Sequence, residues 1–147
     1  MMQSNQKSQM KDLLTRIYDS YEGYKECAEQ SEQARHQRLF KQFADERLEY
    51  ANELKDVLEQ NGEQIELNGS MMANVHRLFT NIKNKIDNDD DEELLEEIAR
   101  GEDKLAEQYQ ETISEFKGDE KVLSIIQPQY KNVINARDLF EAKEEAA

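Results

Sequence analysis

A single cysteine, Cys27, rules out any disulfide within the chain. One proline and five glycines are few for 147 residues, so long uninterrupted elements are expected. Tryptophan is absent, and aromatic residues make up only 7%. No apolar run approaches the ~20 residues that a membrane-spanning helix needs. Basic residues number 19 against 33 acidic ones, for a net charge of −14. Such a surface repels phosphate backbones and anionic lipid, so neither nucleic acid nor membrane is expected as a partner. The polar stretch from Met1 to Met10 shows no leader pattern, and a cytoplasmic protein is the expectation.

Charge and helix formers fill the space left by these absences. Charged residues reach 35%, and Glu, Lys, Leu, Gln and Ala dominate, the composition of long helices. The mean hydropathy of −1.00 is low enough for a disordered chain. The apolar residues nevertheless keep helical phase, which a disordered chain has no reason to do. The length suits one domain spanning residues 1–147 with a single sizeable core.

The phase predicts four long helices. Helix one covers about 8–30, with Met10, Leu14, Ile17, Tyr21, Tyr24 and Ala28 on its inner stripe. Ser31 is the expected N-cap of helix two, about 32–61, where Phe40, Phe43, Ala44, Ala51, Leu54 and Leu58 face inward. Helix three covers about 91–116 on Leu95, Ile98, Leu105, Tyr109, Thr112 and Phe116. Helix four covers about 119–143 on Leu123, Ile126, Tyr130, Val133 and Phe140, bent near Pro128. The tail from Glu141 is expected to fray.

Between helices two and three, about 62–91, Ser70 caps a shorter predicted helix carrying Met71, Met72, Val75, Leu78, Phe79, Ile82 and Ile86. A connection of that length can travel the height of a bundle. Helix three is therefore expected to run parallel to helix two, as in bundles with one long crossover. The surplus apolar residues Met71, Met72, Leu78 and Phe79 suggest a homodimer.

Three charged residues stand where the stripes call for apolar ones: Arg47, Glu102 and Arg137. Glu102 fills the gap between Ile98 and Leu105. A carboxylate buried there must be paired, protonated or metal-bound. The expected solution is a mid-bundle network of Arg47, Glu102 and Arg137, completed by Glu22 or a tyrosine hydroxyl. Two guanidinium groups would repel a divalent cation and offer it no lone pairs. The competing arrangement has these long side chains reaching from a half-buried stripe to water.

Gly23-Tyr24, Glu46-Arg47, Val75-His76-Arg77 and Ala99-Arg100-Gly101-Glu102 occur in this order along the chain. Together they resemble an uncharacterised bacterial group of ferritin-like four-helix-bundle proteins, domain of unknown function 2383. The resemblance runs from about residue 10 to 140. It implies an all-α ferritin-like bundle with a long crossover, and no established activity, substrate or cofactor. The last helix of that group often reads Ala-His-Asp; here it reads Ala136-Arg137-Asp138.

The function expected on these grounds is non-enzymatic: a structural or stress-associated interaction protein, stress being an analogy with ferritin-like relatives. The alternative is a metal-binding bundle of di-iron or di-manganese type with oxidase-like activity, using Glu22, Glu46, Glu49 and Glu102. Against it, neither His36 nor His76 follows a Glu by three residues, the spacing such sites use. A small-molecule cavity at the Pro128 bend is a third reading. No phosphate loop or nucleophile constellation is present.

Overall fold

The computed structural model describes residues 2–68 and 91–146. Among these are four α-helices and no strand: α1 (Ser4–Gln30), α2 (Ala34–Gln60), α3 (Asp91–Glu115) and α4 (Glu120–Ala146). The predicted crossover helix, with His76, Arg77, Met71, Met72, Leu78 and Phe79, lies outside the described residues. None of the described helices is long and apolar enough to cross a membrane.

Local chemistry explains the boundaries. The Gln6 side chain reaches back to the Gln3 N–H at 2.9 Å, so α1 starts four residues before the predicted Ser8. Ser31 caps the helix before it, contrary to the expectation that it would open the next. Its N–H and its Oγ both donate to the Cys27 carbonyl, at 3.0 and 2.6 Å. This takes up one carbonyl that the end of α1 would leave unmade, and α2 starts at Ala34. Gly62 ends the turn after α2 with φ +89°, and Gly118 does the same after α3 with φ +93°, a conformation that glycine adopts without steric cost. Asp119 Oδ1 accepts the Val122 N–H at 3.2 Å and caps α4. That helix runs on through the exposed Pro128 and continues to Ala146. The helix thus extends past Lys143, its expected end, through a run of Glu, Ala and Lys that are all strong helix formers.

Short loops make α1 antiparallel to α2 and α3 antiparallel to α4, and these pairs pack most extensively. Side-chain bridges set the other directions. Asn5 and Gln9 of α1 donate to Glu115 and Thr112 of α3, at 2.6 and 3.2 Å, and Arg16 donates to Gln108. Rising numbers on α1 meet falling ones on α3, so these helices are antiparallel. Tyr50 with Asn132 and Glu53 with Gln129 show the same for α2 and α4. It follows that α2 and α3 run parallel, on a diagonal, with their backbones out of direct contact. Gln60 and Asp91 therefore lie at opposite ends of the bundle.

The core is continuous along the bundle axis. Near the α1–α2 turn it is aromatic: Tyr24, Phe43 and Phe140 pack with ring centroids 5.2–6.1 Å apart, and Phe40 joins them. Towards the other end it is aliphatic, with Met10, Leu13, Leu14, Leu54, Leu58 and Ile126 buried beside Phe116. A polar layer lies between these two halves.

Candidate functional site: a buried ion pair across the bundle diagonal

On α2, Phe40, Ala44, Arg47, Ala51, Leu54 and Leu58 recur at steps of three and four, and all are buried. On α3 and the turn that ends it, the same holds for Ile98, Glu102, Leu105, Tyr109, Thr112 and Phe116. Helical phase thus aims Arg47 and Glu102 at each other across the diagonal. Nη1 of Arg47 donates to Oε1 of Glu102 at 2.6 Å, and Nη2 donates to Oε2 at 2.5 Å. Both side chains are 0% exposed. This two-bond geometry is the strong form of a charge-assisted contact. The guanidinium also lies 5.4 Å from the centre of the Tyr24 ring, close enough for a cation–π contribution.

Burial opposes the Arg47 charge, but the facing Glu102 carboxylate outweighs it and holds the guanidinium above its ordinary pKa. Burial, followed by the negative charge of Glu102, pushes the Tyr24 phenol well above its usual range. Burial does the same to Tyr109.

A second set of contacts surrounds the pair. The Tyr109 hydroxyl donates to Gln129 Oε1 at 2.7 Å, and Gln129 Nε2 donates to Glu53 at 3.4 Å. Asn132 Nδ2 donates to the Tyr50 hydroxyl at 2.6 Å. Burial raises the pKa of Glu46 and of Glu53, with Arg47 working against the rise at Glu46.

Of the four residues expected at the centre, the structure brings together Arg47 and Glu102. Arg137 stands at a similar height but on the rim, bonding Asp103 and Asp138 at 3.1 Å each. The reason is register. Helix α4 buries Val122, Ile126, Gln129, Val133, Ala136 and Phe140, so Ala136 takes the inward position assigned to Arg137. One residue is a rotation of about 100°. Glu22 is likewise off the centre: Ser20 and Tyr24 face the core, which turns Glu22 outward. There it lines a groove of about 290 Å³ with Asp19, Lys25, Glu26 and Glu29.

The alternative set of Glu22, Glu46, Glu49 and Glu102 does not converge. Glu102 has both oxygens engaged by Arg47, Glu49 is exposed and Glu22 faces outward. Among the described residues, no three of His, Cys, Asp and Glu gather as a metal ion would require. Cys27 is buried, and burial pushes its thiol well above the ordinary range, which suits packing and not nucleophilic chemistry.

Sequence reasoning missed Tyr50, Glu53, Gln129 and Asn132. A signal for Gln129 existed: it falls at the three-residue step between Ile126 and Val133, as a polar residue inside an apolar stripe. No comparable signal marks Tyr50 or Asn132, whose meeting depends on how α2 and α4 pack.

No curated protein and no solved structure matches this chain. The family described as Domain of unknown function (DUF2383) matches residues 5–115. That match covers most of the chain, including α1, α2, α3 and both members of the buried pair, and the chain belongs to this family.

Proposed function

We propose that this protein is a non-enzymatic, ferritin-like helical bundle serving as a structural or stress-associated interaction protein. In this reading an Arg/Glu pair occupies the layer where metal-carrying bundles hold their ions. The single observation that carries it is the Arg47–Glu102 contact. A guanidinium supplies the positive charge at the centre, and both oxygens of the inward carboxylate are committed to it. Guanidinium has no lone pair to offer a metal or an acid–base step. Support for the ferritin-like arrangement is the parallel, diagonal placement of α2 and α3, which matches bundles with one long crossover.

The test is elemental analysis of protein produced in iron- and manganese-supplemented medium and purified without chelator. Less than one-tenth of an equivalent of either metal is the expected result. A stoichiometric metal that survives dialysis would overturn the reading in favour of a carboxylate metal centre.

A further inference from the structure

One carboxyl beside the buried pair is left over. Glu46 lies on α2 next to Arg47, with its Oε1 3.9 Å from Arg47 Nε. That distance is too long for a hydrogen bond. Oε1 is sealed from solvent and Nε is buried, and neither has a hydrogen-bond partner among the described residues. The remainder of the Glu46 side chain is 32% exposed, so protons can reach it from water. Glu102 already neutralises Arg47. An ionised Glu46 would therefore place a second negative charge against a single guanidinium in a largely desolvated layer.

We propose that Glu46 is a pH-responsive carboxyl built into the bundle centre, where its sealed oxygen stands beside the Arg47 side of an ion pair already neutralised by Glu102. The groups around Glu46 and its immediate neighbours come from each packed element. Helix α2 supplies Arg47, Glu49 and the Tyr50 hydroxyl, and α3 supplies Glu102. Helix α4 supplies Asn132, which donates to the Tyr50 oxygen and leaves the Tyr50 proton available to Glu46. Helix α1 supplies Tyr24, which lies against Arg47 and Glu102. Among these only Arg47 is cationic, and its two Nη atoms are committed elsewhere. Burial raises the Glu46 pKa against the opposing pull of Arg47 and of Tyr50, and Glu102 and Glu49 add to the rise.

The sign follows from linkage. A carboxyl whose folded pKa is raised contributes stability that is fully present below its unfolded value, 4.5, and is lost as pH rises through the folded value. Mild acidification therefore tightens the bundle at this point.

The experiment compares the melting of wild type, Glu46→Gln and Glu49→Gln between pH 4.5 and 8. Glu46→Gln keeps the shape of the protonated acid at every pH. It is expected to melt at least about 2 °C above wild type at pH 8, with the gap closing as pH approaches 4.5. A smaller gap, a lower melting point or a gap independent of pH overturns the proposal. The same gap in Glu49→Gln also overturns it, by showing a general effect of charge on α2. If Glu46→Gln fails to fold, carboxyl ¹³C NMR of wild type decides. Titration of Glu46 above the exposed glutamates supports the proposal, and titration with them overturns it.

Discussion

Two oxygens and two nitrogens at the bundle centre illustrate why a buried ion pair can matter without stabilising much. The cost of drying Arg47 and Glu102 roughly cancels their attraction, but removing one partner strands the other. Glu102→Gln or Arg47→Met alone should each cost about 3–5 kcal/mol in urea unfolding. Arg47→Met with Glu102→Leu should recover most of that loss, because no charge is then left behind. A double mutant as unstable as the worse single variant would show that packing around the pair matters more than its charge. Among the described residues, this contact commits specific atoms of α2 to specific atoms of α3.

Helix α4 buries Ile126, Val133 and Phe140 as its pattern predicts, but not Leu123, Tyr130 or Arg137. Two apolar series run along it one residue apart: Val122, Gln129 and Ala136, and Leu123, Tyr130 and Arg137. The second series is richer in large apolar groups and looks like the core. Only the first is buried, and the second is half-buried along the rim, where Tyr130 accepts a hydrogen bond from Gln110 at 2.8 Å and Arg137 meets Asp103. The arrangement predicts opposite sensitivities at neighbouring positions. Arg137→Ala should change stability by less than about 1 kcal/mol, because its ion pairs face solvent. Ala136→Leu should cost about 1–3 kcal/mol, because the added atoms have no room in a packed core. Thermal melts of the two variants check the order; an Arg137→Ala variant that is the less stable would restore Arg137 to the interior.

For the molecule as a whole, the polar layer links stability to alkaline pH. Burial, then Glu22, raises the Tyr18 phenol from 10.0 to about 12, and burial also pushes the deeper Tyr24 and Tyr109 well above their usual range. Each contributes stability that is complete below pH 10 and is lost as pH climbs through the folded values. Ultraviolet titration at the phenolate band should therefore show part of the tyrosines ionising together with loss of helix, at or above about pH 12. Ionisation of all six in one step near pH 10 with the helices intact would contradict their burial. The sequence alone determined that the chain makes four long helices and that α2 and α3 each carry one charge in a core position. Helical period is a local property, so Arg47 and Glu102 could be read directly from it. Which of two adjacent series α4 buries depends on the partners that α4 meets. So do the meetings of Gln129 with Glu53 and of Asn132 with Tyr50. Tertiary packing alone settled these, since rotating a helix by one residue costs nothing until a neighbour fills one face and leaves the other to water.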